Sequence, residues 1–226
     1  MADGHKWEWF TDPGLPIWCI TLTEYLTPDA VLRRYGADPG TARMLGHDEA
    51  SDLYDRALRG GTVVRVGTAG AWAFGYEDIG QAGSRSGPLA ALSRGTQTLS
   101  VLRGGDGTNR LAHWRDGQCR EAFELGTAGR KPQGNHYFWD LVHAAGQTTP
   151  RATGLLLALR AITHHTGVVL SKKTLRGPLL TAHLAEEDRA PDPAPRHSPV
   201  PNIDTSALGR ALGAVRPSPP SDRHRH

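Results

Sequence analysis

The run AWAFGYED at residues 71–78 constrains what this chain can fold into more than any other stretch. Trp72, Phe74 and Tyr76 alternate with Ala71, Ala73 and Gly75, and a side-chain period of two marks a β-strand. The spacing predicts bulky rings facing one core and small residues facing a layer that approaches closely. The strand ends in two acids, Glu77 and Asp78, and runs into a loop with Gly80, Gly83, Ser84 and Arg85. Neighbours on a strand point to opposite faces, which argues against these two carboxylates working as a general acid–base pair in one pocket.

Other elements follow from similar signals. Residues 17–22 place Trp18, Ile20 and Leu22 on one face and read as a first strand. Thr27-Pro28-Asp29 is a helix start, with a hydroxyl cap, a proline in the first turn and an acid at the positive end. Val31, Leu32 and Tyr35 form its stripe, and Gly36 stops it. A second helix is expected over 48–59, with Leu53, Tyr54, Ala57 and Leu58 as its buried face. Residues 62–67 and 71–77 read as a hairpin, 88–94 as a short helix and 97–103 as a strand. Asp116-Gly117 sits between two alternating runs and predicts a tight hairpin turn. In that register Trp114 faces Cys119 and His113 faces Arg120, with Ala112, Trp114, Cys119 and Phe123 on one face. From residue 137 the pattern is helical, over 137–145, over 152–165, and in a segment capped by Ser171 that runs to 184. The expected fold is α+β, an antiparallel sheet of five to six strands with helices packed against it.

Hydrophobic residues make up 38% of the chain, low for a wholly folded one, and the deficit is concentrated at the C-terminus. Residues 185–226 are rich in proline and poor in large apolar side chains, and read as a disordered tail. Leu208, Leu212 and Val215 there suit a weak helical turn on a partner. Residues 16–184 read as one domain, and residues 1–15, with Trp7, Trp9 and Phe10, as an aromatic clasp packed on it. The alternative for that clasp is an exposed patch that meets a partner. Cys19 and Cys119 form neither a disulfide framework nor a metal motif, which suits a reducing cytoplasm. No apolar run reaches membrane-spanning length, and the N-terminus lacks the pattern of a signal peptide. A cytoplasmic protein without a membrane partner is expected.

Several pieces together resemble a family of uncharacterised actinobacterial proteins. They are Trp72-Ala-Phe-Gly-Tyr-Glu-Asp with Gly83-Ser84-Arg85, Trp18-Cys19, Leu26-Thr27-Pro28, Leu92-Ser93-Arg94-Gly95-Thr96, Thr166-Gly167-Val168 and Gly177-Pro178-Leu179-Leu180. The resemblance covers residues 16–184 and departs from the pattern at 103–107, where a glycine-rich stretch replaces a more aromatic one. It implies a single compact domain and no assigned activity. The arginine-heavy, Ala- and Gly-rich composition fits a GC-rich genome.

Two groups of residues are candidates for function. Glu77, Asp78, Ser84 and Arg85 have the chemistry of a clamp for another protein or a small anionic ligand, since arginine offers a planar fork and glycines let backbone amides approach an anion. The competing structural account is a loop stapled by its own salt bridge, with Ser84 capping a turn and the glycines supplying positive φ. Lys172, Lys173 and Arg176 lie in an acid-free stretch, 141–185, whose outline resembles a helix-turn-helix with a basic second helix. They are the candidates for nucleic acid, against the account of a solvated basic face. Histidines 113, 136, 143, 164 and 165 lack metal-ligand spacing. No nucleophile elbow, Walker loop or dinucleotide fingerprint is present. These absences favour a non-enzymatic binding domain without a cofactor over an enzyme.

Overall fold

The aromatic alternation at 72–76 lies at the heart of an eight-stranded sheet. The structure is a computed structural model, described here for residues 7–126, 136–149, 152–186, 188 and 191–192. The strands are β1 (Trp18–Glu24), β2 (Arg43–Leu45), β3 (Thr62–Ala69), β4 (Trp72–Glu77), β5 (Gln97–Arg103), β6 (Asn109–Arg115), β7 (Gln118–Glu124) and β8 (Leu179–Leu184). Their order across the sheet is β2-β8-β3-β4-β1-β5-β6-β7. Every neighbouring pair is antiparallel. The helices are α1 (Pro28–Tyr35), α2 (Ser51–Ala57), α3 (Ser86–Leu92), α4 (Tyr137–Thr148), α5 (Gly154–Thr166) and α6 (Lys172–Arg176).

The two faces of the sheet differ in kind. Trp18, Ile20, Leu22, Trp72, Phe74, Leu99 and Val101 point toward α4 and α5 and form the main core with them. Trp7 and Phe10 from the N-terminal segment are buried in the same core, while Trp9 is half-buried. On the opposite face β1, β4 and β5 present small and hydroxylated residues such as Thr21, Ala73, Gly75 and Ser100. β3 and β8 add Val64, Val66 and Leu184, and α1 and α3 lie close against it. There Thr21 hydrogen-bonds Tyr35 at 2.9 Å, and a side chain at Gly75 would collide with both. Close approach is therefore the reason for glycine in this strand. Thr27 accepts the Ala30 amide at 3.3 Å, and Gly36 ends α1 at φ 107°.

The sheet has eight strands rather than five to six, and the two extra ones flank one edge. β2 is three residues long and largely exposed, too short to leave a pattern. β8 falls where a helical segment through residue 184 is expected. Both of its faces are covered, so it shows no alternation, and a doubly buried strand cannot be told from a helix by periodicity. Ser171 does cap a helix, α6, accepting the Thr174 amide at 3.0 Å, but that helix stops at Arg176. The expected second helix over 48–59 is a 3-10 turn followed by α2, and Leu58 on its expected buried face is exposed.

The last hairpin also differs from its expected register. Trp114 does face Cys119, but His113 faces Glu121 rather than Arg120, because a bulge interrupts the ladder. One extra residue reverses the phase of the strand. Ala112, Trp114 and Ala122 therefore pack beneath α3, whereas Leu111 and Phe123 join the main core. The reversal also turns Glu121 inward, where its carboxylate accepts the Phe138 and Trp139 amides at 3.0 and 2.6 Å at the start of α4.

Arg65 on β3 is fully buried and has no carboxylate at ion-pair distance among the described residues. Its guanidinium donates instead to the carbonyls of Leu175, Leu45 and Gly177, the last two at 2.8 Å, and reaches the Thr181 hydroxyl at 3.5 Å. It joins β2, β8 and both sides of the α6 C-terminus to β3. Arg65→Met strands these carbonyls in the interior and is expected to lower the unfolding free energy by about 3 kcal/mol, measured by urea denaturation. Arg65→Lys should recover little of that loss, since one ammonium cannot span acceptors on three elements.

Candidate functional site

The strand end at Glu77 and Asp78 sends its two carboxylates in opposite directions, as the pleat requires. Glu77 is completely buried on the α1 side. Its oxygens accept the backbone amides of Ala82 at 2.8 Å and Gly83 at 2.7 Å, and the Thr62 hydroxyl at 3.2 Å. The glycines of this loop make room for that arrangement. A side chain at Gly80 would strike Thr62 and Glu77, and one at Gly83 would strike the Tyr35 hydroxyl and Thr21. Neither glycine has a positive φ, so the expectation that they supply left-handed backbone is corrected. The loop is stapled, but by a carboxylate on backbone amides and not by a salt bridge to Arg85.

Arg85 makes no ion pair with that carboxylate and pairs instead with Glu186 at 3.3 Å. Ser84 donates its hydroxyl to the Gln81 carbonyl at 2.8 Å, closing a turn. Asp78 sits on the other side of β4. There it accepts the Tyr76 hydroxyl at 2.8 Å and the His47 ring at Nε2 at 2.6 Å. The Nδ1 of His47 is 3.1 Å from Asp48. The structure thus separates the four loop candidates into a buried staple, a turn, a surface ion pair and one residue, Asp78, at a cavity.

That cavity, about 390 Å³, opens between the N-terminal segment, the end of β4 and α6. Trp9, Leu15, Ile17, Tyr76, Ile79 and Leu175 give it apolar walls. Asp78 and His47 sit on one side, and Asp12 lies at the exposed rim. Lys172 and Arg176 supply its positive charge; four residues apart, they share one face of α6. Lys173, also exposed, does not line it. Two of the three basic candidates are therefore brought to the same cavity as one of the acidic ones. The wall that carries them is held by Arg65 and by the His47 amide, which donates to the Arg176 carbonyl at 3.0 Å.

The contributions of His47, the Tyr76 hydroxyl and the segment 9–17 were not legible as site features. The signal for Tyr76 was its chemistry, a phenol where phenylalanine would serve a purely apolar role, two residues from an acid. Burial and the nearby Asp78 push the Tyr76 hydroxyl well above its ordinary range. Among the described residues no group of three or more His, Cys, Asp or Glu is arranged to hold a metal ion. Among them, too, no helix is long and apolar enough to cross a membrane.

The model of a family of unknown function, DUF6461, matches residues 4–176. The chain belongs to DUF6461. The match runs from the N-terminal aromatic segment to the end of α6, so it contains both walls of the cavity and stops before β8. No curated protein and no solved structure matches this DUF6461 chain.

Glu77 also predicts how stability depends on pH. Burial, opposed by the three hydrogen bonds, pushes its carboxyl from 4.5 up to about 7. The folded state therefore holds the proton more tightly than the unfolded chain does. That stabilisation is complete below pH 4.5 and is lost as pH rises to 7, by about 3 kcal/mol. His113 acts in the opposite sense. Burial first, then neighbouring His165, lowers it from 6.5 to about 4, so its contribution is lost as pH falls through that window. Denaturant titrations from pH 4 to 8 should show Glu77→Gln lacking the Glu77 component while the His113 component remains.

Proposed function

We propose that this protein is a non-catalytic binding domain whose cavity between the N-terminal segment, β4 and α6 receives a small organic anion. The observation that carries this reading is the state of Lys172 and Arg176. Both face the cavity, and neither has a carboxylate at ion-pair distance among the described residues. Asp78 is already engaged by a phenol and an imidazole, so it leaves those cations available to a ligand. An arginine fork and an ammonium on one wall suit a carboxylate or phosphate, and the apolar walls suit a hydrophobic body beside it.

The engagement of both Glu77 oxygens and both Asp78 oxygens favours binding over catalysis, since neither strand carboxylate is free to move a proton on a ligand. The nucleic-acid reading of Lys172, Lys173 and Arg176 has less support. α6 is only five residues long, and two of its three cations line the cavity.

Calorimetric titration with aromatic and aliphatic monocarboxylates and phosphate monoesters tests the proposal. At least one class should bind. Lys172→Gln with Arg176→Gln should then weaken it by tenfold or more, roughly 1.4 kcal/mol, while Lys173→Gln leaves it unchanged. Absence of binding across both classes, with duplex DNA bound through Lys173 in a steeply salt-dependent manner, would overturn the proposal in favour of nucleic acid.

A further inference from the structure

A second charged surface lies on the other face of the sheet, where α1 meets α3. It shares no residue with the cavity above and does not depend on that reading. Arg33, Arg34 and Arg94 converge on a cavity of about 560 Å³, with Asp188 and Pro191 on its remaining side. Arg34 is committed to structure, donating to the carbonyls of Leu92 and Arg94 at 2.8 Å and of Ala91 at 3.4 Å. Burial and the Arg94 charge both lower the Arg34 guanidinium, a sign that the like charges are close. Arg33 and Arg94 are exposed, and neither has a carboxylate at ion-pair distance among the described residues. Like charges gathered around a concavity raise the local potential and attract an anionic partner.

What lies beside these arginines is the chain's own acidic segment. Glu186 pairs with Arg85 at 3.3 Å. Asp192 accepts the Gly87 amide at 2.7 Å, in the first turn of a helix that has no side-chain cap of its own. Asp188 lies between these two contacts in sequence and borders the arginine cavity. Three carboxylates spread over seven residues thus run across a surface of four arginines. All the contacts are of kinds that a peptide supplied from outside could make: ion pairs and a carboxylate on a backbone amide.

We propose that the surface formed by Arg33, Arg85 and Arg94 is a docking site for an acidic peptide segment, covered in this chain by Glu186, Asp188 and Asp192, which an incoming partner displaces. Charge complementarity sets the partner's chemistry, and the acidic side chains of Glu186, Asp188 and Asp192 are what the surface already accommodates. Because the covering segment is tethered, it competes at high effective concentration. Only the uncovered fraction of molecules is competent to bind, and the apparent affinity for a partner falls by that fraction.

The test uses the full chain and a labelled synthetic peptide of residues 186–192, EEDRAPD, followed by fluorescence anisotropy. The triple variant Glu186→Gln, Asp188→Asn, Asp192→Asn should bind the peptide about tenfold more tightly than the unaltered chain. Adding Arg33→Gln and Arg94→Gln should abolish that gain, and the binding should weaken with salt. Asp192→Asn alone, expected to give a smaller gain in the same direction, serves if the triple variant loses its cooperative melt. The proposal is overturned if neither variant binds more tightly than the unaltered chain, or if removing the arginines changes nothing. It is also overturned if pyrophosphate or duplex DNA displaces the peptide more effectively than unlabelled peptide does, since the surface would then select phosphate.

Discussion

A single buried guanidinium organises the edge of this molecule that matters most. Among the described residues Arg65 has no counter-ion, and the cost of removing its charge from water is offset by the carbonyls and hydroxyl it reaches. Those acceptors belong to β2, β8 and the residues flanking the α6 C-terminus. None of these elements is large: β2 has three residues and α6 has five. Elements of that length have little stability of their own, and here they share one donor. The positions of Lys172 and Arg176 at the cavity are thus secured by a third cation that does not itself line it.

Two glutamates do comparable work elsewhere. Glu77 accepts the consecutive amides of Ala82 and Gly83, and Glu121 accepts those of Phe138 and Trp139. Each comes from a strand, each is buried, and each holds the chain at the entrance to the segment that covers its face of the sheet. A carboxylate oxygen on each of two successive amides fixes backbone direction as well as position. Both glutamates are thereby committed to the frame, and the charged groups that reach the cavity are Asp12, Asp78, Lys172 and Arg176, with His47 beside Asp78.

Much of the frame was legible because it rests on local rules. The cap at Thr27, the stop at Gly36, the rings of β4 and the span of β5 follow from side-chain period and backbone preference within a few residues. What escaped was non-local. β8 lacks alternation because it is covered on both faces, and the bulge in β7 reverses a face with no glycine or proline to announce it. The site was legible in its residue types and not in its grouping. Asp78, Lys172 and Arg176 were visible as chemistry, but only the sheet order brings them together, and nothing adjacent in sequence pointed to His47. The role of Arg85 was misplaced for the same reason: its partner, Glu186, lies far along the chain.

Among the described residues β8 is the last strand to be synthesised, yet it lies between β2 and β3. Leu45 pairs with Leu179, and Thr62 with Leu184, so closing this flank spans most of the domain. A chain emerging from the ribosome can assemble the β5–β6–β7 meander early, because its contacts are close in sequence. It cannot seat β2 until β8 arrives, and Arg65 waits for the same event. α6, which lines the cavity, directly precedes β8, so the cavity wall and the strand that locks it enter the fold almost together. A complete cavity wall is therefore a late property of the nascent chain, gained only when β8 slides into a gap left open since the first third of synthesis.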